Sequence, residues 1–149
     1  MLNNSRLEAV TVCIGYGDFL AETAKYNTSV FDDWVIVTLD KDEVTREVCR
    51  KYSIRTILTG DYKREGEPFN KGRLVERGLQ HLSAGGWRLH IDADIVVPRI
   101  MTHLLDAAEI ETDKIYGVDR VMVRNAKQWA DLQKSGWLAQ DYHCCVRPP

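Results

Sequence analysis

No apolar run in this 149-residue chain approaches the roughly 20 residues a helix needs to cross a bilayer, so no transmembrane segment is expected. The opening residues, Met1-Leu2-Asn3-Asn4-Ser5-Arg6, lack the apolar stretch of a secretory signal, which makes the cytoplasm the default expectation. An excess of one charge is missing too. Twenty Lys and Arg against 22 Asp and Glu leave a net charge of −2, which gives no electrostatic case for nucleic acid or an anionic membrane. Cysteine is sparse: Cys13, Cys49 and the adjacent Cys144-Cys145. His143 precedes that pair, but zinc sites use two clusters at defined spacing and no second cluster exists. Cys13 falls in an expected buried strand and Cys49 on a helix face, where reduced thiols act as small hydrophobes.

Glycine-rich phosphate loops are also absent. Gly15-Tyr16-Gly17 is followed by Asp18-Phe19-Leu20, so the third glycine of the dinucleotide fingerprint is missing. No Gly-x-x-x-x-Gly-Lys-Ser/Thr loop occurs either. If phosphates are bound, a carboxylate-held divalent cation must handle them instead.

What is present is ordinary globular material, 44% hydrophobic and 28% charged, enough for one domain with a real core over residues 1–149. Val10 to Ile14 is a β-branched run that predicts a first strand from Ala9, with Asp18 capping a helix whose face holds Phe19, Leu20, Thr23, Ala24 and Asn27. Trp34 to Leu39 predicts a second strand ending at Asp40, and Asp42 caps the next helix. A short strand over 54–58 and a charged loop over 59–68 follow. Asn70 then caps a helix to about Ser83, which Gly85-Gly86 stops. Pro98 is expected to open another helix, 114–123 to form a strand, and Asn125 to cap a final helix that breaks near Gly136. From residue 124 the chain is read as a C-terminal helix and tail. Strand and helix alternate about four times, which predicts a mainly parallel sheet covered on both faces, a three-layer α/β/α fold. The ends of its strands, Gly15 to Gly17, Asp40, Thr59 and Asp92 to Asp94, would then face one crevice.

The chemistry concentrates in Trp87-Arg88-Leu89-His90-Ile91-Asp92-Ala93-Asp94. With 13 Asp in the chain, about one Asp-x-Asp arises by chance, and a second, Asp40-Lys41-Asp42, is indeed present. Context raises the 92–94 pair: it closes an expected interior strand, where open α/β sheets bind ligands. If the strand stays extended, both carboxylates point one way and repel unless a cation sits between them. Oxygen ligands that leave positions open suit Mg²⁺ or Mn²⁺, with substrate phosphates completing the shell. His90 shares the Asp92 face; His103 is expected on the solvated side of its helix.

Four marks in order resemble the nucleotide-sugar half of GT-A-fold glycosyltransferases, closest to the family 2 type. They are Val10 to Gly17, Asp40 after the second strand, Asn70-Lys71-Gly72 opening a helix that runs to Gly78-Leu79, and Ile91-Asp92-Ala93-Asp94, spread over about residues 8 to 123. The resemblance implies transfer of a sugar from a UDP- or GDP-linked donor to a sugar, lipid or protein acceptor, with Mn²⁺ or Mg²⁺ as cofactor. It puts Ile14, Gly15, Tyr16 and Asp40 around base and ribose, and Asn70, Lys71 or Arg73 near the nucleotide or diphosphate. Asp94 becomes the direct metal ligand, and Asp92 reaches the ribose or the metal through water, with Ala93 between them in the donor site. Simpler roles stand beside these: Asn70 as a cap, Lys71 and Arg73 as a solvated face, Tyr16 as a cover for the sheet edge. Arg77 departs from the Asn common in the family at that place. The family's acceptor site and general base follow the strand matching 114–123, beyond which this chain has only Arg124 to Pro149. It therefore reads as C-terminally short, with no catalytic base assigned and binding better supported than turnover. The alternative is a non-catalytic nucleotide-sugar module completed by a partner chain, and an unfinished sheet edge would invite self-association. A haloacid dehalogenase-type phosphohydrolase fits worse, since its Asp-x-Asp follows the first strand.

Overall fold

The computed structural model describes residues 6–60, 70–83, 85–108, 110–111, 113–135 and 146–147. The chain divides into two compact units, Ser5–Val97 and a second that takes in Pro98–Pro149.

The first unit is built on a four-stranded sheet, with β1 (Leu7–Val12), β2 (Asp33–Leu39), β3 (Arg55–Thr59) and β4 (Trp87–His90) in the order β3-β2-β1-β4. Every pairing is parallel, with Val10 opposite both Val35 and His90. Parallel strands need crossovers, and α1 (Gly17–Asn27), α2 (Glu43–Lys51) and α3 (Lys71–Leu79) supply them. β1 and β2 are almost wholly buried, as interior parallel strands covered on both faces must be, and their unbroken Val, Ile and Thr runs suit that position.

Alternation divides the core in two. Val10, Val35 and Val37 pack with Leu74 and Leu82, and Val12, Ile14, Ile57, Val75 and Leu79 close around them beside α3. The residues between point the other way: the Trp34 indole donates to Thr11 Oγ1 at 3.1 Å, and Cys13 Sγ meets Thr45 Oγ1 of α2 at 3.4 Å. The fold is α/β with a parallel sheet, compatible with three α/β/α layers. Cys13 and Cys49 are both buried free thiols, and burial pushes the Cys13 thiol up to about 11.

Because β4 joins β1 rather than β3, α3 must recross the sheet over β2 and β1. Gly78 makes that approach close: a Cβ there would lie 2.1 Å from Val10 Cγ2 and 3.1 Å from Val37 Cγ2. Beyond the helix the chain is tied to the opposite end of the strands. Arg55 Nη2 donates to the His81 carbonyl at 2.6 Å and Arg88 Nη2 to the Ser83 carbonyl at 2.9 Å. Buried Glu8 accepts from Ser83 Oγ at 2.6 Å and pairs with Arg6 at 2.7 Å.

In the second unit, α4 (Met101–Ala107) begins three residues after Pro98, whose carbonyl accepts from Met101 N at 3.0 Å. Asn125 caps α5 (Ala126–Lys134) through Gln128 N, as its sequence predicts. The strand expected over 114–123 shrinks to β5 (Gly117–Val118), paired antiparallel with β6 (Val146–Arg147). Strand preference expresses itself through burial, and here Ile115 is 92% exposed with Val121 and Met122 also exposed. β1 and β3 also sit one or two residues away from their expected bounds, and α3 ends at Leu79 instead of Ser83.

Gly78→Ala should destabilise the protein by about 1–3 kcal/mol through overpacking, read as a lower urea midpoint at unchanged slope. An unchanged midpoint would mean that α3 does not press on Val10 as described.

Candidate functional site

From central β1 the chain moves outward to β2 and β3 on one side, then returns to place β4 on the other. β1 and β4 are therefore neighbours, and the segment leaving β4 is hydrogen-bonded to α1, the helix that follows β1. Open α/β sheets bind ligands outside the carboxyl ends of their strands, where the strand order reverses, and that reversal falls between β1 and β4.

The β4 loop is not extended. The strand stops at His90, Ile91 N still reaches the Val10 carbonyl at 3.1 Å, and a turn then closes with Ile95 N on the Asp92 carbonyl at 3.2 Å. The expectation that Asp92 and Asp94 share one face of a continuous strand is thus corrected: Asp92 opens a turn and Asp94 lies within it. Two buried polar residues of α1 hold it. Thr23 Oγ1 donates to the Ala93 carbonyl at 2.7 Å. Asn27 Nδ2 donates to the Ile95 carbonyl at 2.8 Å while its Oδ1 accepts from Val97 N at 2.9 Å. Asn27 thus offers the segment the donor and acceptor that a neighbouring strand would. Ala93 is buried, Asp94 exposed and Asp92 half-buried.

The β1 loop is held from α2. Gly15, at φ 73°, donates its N–H to Asp42 Oδ2 at 2.8 Å, a left-handed conformation that favours glycine. The Asp42 carboxylate also caps α2 through Thr45 N at 3.1 Å and accepts from Thr45 Oγ1 at 2.9 Å and Thr38 Oγ1 at 3.4 Å. Burial alone would raise its pKa, but these bonds to Gly15, Thr45 and Thr38 outweigh burial and hold it below the usual carboxylate value. Gly17 is needed for contact, since a Cβ there would lie 2.7 Å from Val44 Cγ1. The two glycines thus serve a turn and a helix approach.

Tyr16 precedes α1, 60% exposed, its ring centroid 6.2 Å from that of Phe19. Phe19 is itself 50% exposed and leaves the buried face expected of it, whereas Leu20, Thr23, Ala24 and Asn27 keep theirs. Ile14 packs against the core beside α3. Asp40 is exposed after β2, its carbonyl accepting from Arg46 at 2.8 Å. Strands lie about 4.8 Å apart, so Asp40 and Thr59 share the edge with β4 but stand about 10 and 14 Å across it.

At the start of α3, Asn70 Oδ1 caps the helix by accepting from Arg73 N at 3.1 Å, and Arg73 itself is exposed. Lys71, the next residue, pairs its Nζ with Asp92 Oδ1. His90 Nε2 stands 3.9 Å from the same oxygen; burial and the Lys71 cation lower its pKa against the opposing pull of Asp92. Arg77 is engaged by β3, donating to Thr59 Oγ1 at 3.2 Å. His103 is exposed on α4. The residues 61–69, and Asp141, His143, Cys144 and Cys145, lie outside the described residues.

Among the described residues no three His, Cys, Asp or Glu side chains cluster to hold a metal. The donor set at the turn is two carboxylates, one of them paired with a lysine. That does not suit a closed protein cage of the zinc type. It suits Mg²⁺ or Mn²⁺, which one or two carboxylates bind together with substrate phosphates and water. Thr23 and Asn27 are the site-forming residues that pattern reading missed. Their signal was two polar side chains at apolar helix positions beside Leu20 and Ala24.

No protein-family model matches the chain, and no curated protein matches its sequence.

Asn27→Ala should cost about 2–4 kcal/mol, since it strands the buried Val97 N–H and the part-buried Ile95 carbonyl, and should speed amide exchange at Val97. Unchanged exchange would remove Asn27 as the clamp. For Asp42 the folded pKa is depressed, so its stabilisation is present above the unfolded value of 3.8 and is lost as pH falls through the lower folded value. Asp42→Asn, which keeps a cap, should flatten the loss of stability below about pH 4 in urea titrations. An equally steep acid limb in the variant would contradict this.

Proposed function

We propose that the crevice between the carboxyl ends of β1 and β4 is the donor site of a divalent-cation-dependent glycosyltransferase, binding a nucleoside-diphosphate sugar. The observation that carries this reading is the meeting of Lys71 with Asp92, on the turn that also bears exposed Asp94, at the switch point of a parallel sheet. A cation and an anion-binding lysine side by side are what a diphosphate requires, and this chain has no glycine-rich loop to do the work. The GT-A, family 2-like resemblance of Val10 to Gly17, Asp40, Asn70 to Leu79 and Ile91 to Asp94 supports the same choice.

In this reading Asp94 would hold Mn²⁺ or Mg²⁺, with Asp92 beside it. The bound cation would supply a Lewis acid that takes up charge on the departing nucleoside diphosphate. Tyr16 offers an exposed ring face to the base, and Gly15 brings backbone close to the ligand. Asp40, about 10 Å across the sheet edge from β4, lies where the ribose of an extended nucleotide would reach. Asn70 acts through its cap, which fixes the start of α3 and hence the root of Lys71. Ala93 is buried and holds the turn, so its part is positional. Ile14 packs against the core, so its part is likewise positional.

Calorimetric titration with UDP and GDP, with and without Mn²⁺, tests this. Binding should require the cation, and Asp94→Ala should weaken it at least about tenfold, the scale of one lost charge-assisted contact. Equal affinity without Mn²⁺, or no binding by the folded protein, would refute the donor-site reading.

A further inference from the structure

Lys71 and Asp92 form a half-exposed ion pair at the turn after β4. Their side chains are 40% and 45% exposed, so the pair can part without stranding a buried charge. The backbone at Lys71 is fixed, because it is the first residue of α3 and Asn70 caps that helix. Only the flexible four-carbon stem has to move. While the ammonium sits on Asp92 Oδ1, a divalent cation approaching the same turn meets a positive charge already in place. A diphosphate arriving with its cation removes the conflict, since its oxygens give the ammonium a new partner.

We infer that Lys71 is the resident counter-ion of Asp92 and transfers to the diphosphate on binding, so that the site admits the cation–nucleoside diphosphate complex and disfavours the bare cation. This rests on the donor-site reading and adds an order of binding to it. Lys71 holds Asp92 in the absence of ligand and holds phosphate in its presence. Its two roles oppose one another in sign, which makes them separable.

The test uses the whole chain with Lys71→Met and Lys71→Arg, titrated calorimetrically with Mn²⁺ alone and with Mn²⁺ plus UDP or GDP. Lys71→Met should tighten Mn²⁺ alone about three- to tenfold, the range of a half-exposed charge interaction, while weakening the nucleotide complex about tenfold or more. Lys71→Arg keeps the charge and should bind bare Mn²⁺ as the wild type does. The inference is overturned if Lys71→Met weakens both ligands, which would make Lys71 only a brace for the turn. It is overturned equally if neither ligand responds, or if Lys71→Arg tightens Mn²⁺ as the Met variant does. Asp94→Ala separates the two levels. Lost nucleotide binding in that variant, with no opposite-sign effect at Lys71, removes the inference and leaves the donor site standing; intact binding removes the donor site itself.

Discussion

The pairing of β1 with β2 on one edge and β4 on the other is the constraint from which the rest of the first unit follows. A parallel β4 can reach β1 only if α3 recrosses the sheet, and the recrossing sets Gly78 against Val10 and Val37. It also brings the start of α3 to the edge where β1 and β4 end. Lys71 and Asp92, 21 residues apart in sequence, become neighbours there. Without this strand order, the carboxylate turn and the lysine would have no reason to meet.

Side chains then do work that backbone usually does. The segment after β4 is stabilised by the amide of Asn27 and the hydroxyl of Thr23, and the loop after β1 by the carboxylate of Asp42. Buried backbone groups must find partners, and a side chain that supplies both donor and acceptor satisfies them while leaving the loop free to turn. Rigid supports of this kind are what a binding site needs, because contacts made by preorganised groups cost less on binding. Lys71 and Asp92 behave differently. They are half-exposed, joined through a charged hydrogen bond at the protein surface.

The core strands were legible in the residues because β1 and β2 carry the β-branched runs Val10 to Val12 and Val35 to Thr38, and Asp42, Asn70 and Asn125 cap helices where their side chains suggest. Strand alternation with helices made a parallel sheet readable too. Strand order was not, since adjacency is decided by long-range packing. The carboxylate pair looked like an extended strand because alternation is all that a local pattern can show; the turn is imposed by Thr23 and Asn27 from 68 to 70 residues away. Phe19 left the expected buried face and the strand expected over 114–123 shrank to Gly117–Val118 for a related reason, as apolar character tells nothing of whether a neighbour exists to cover it.

The most direct measurement of the central claim is a residue-resolved NMR titration of the protein with Mn²⁺ together with UDP or GDP. Paramagnetic broadening centred on Asp92 to Ile95, with accompanying nucleotide-induced shifts at Gly15 to Gly17 and Asp40, is the predicted result. Broadening confined to other parts of the chain, or none at the β1–β4 edge at saturating ligand, would contradict a donor site there.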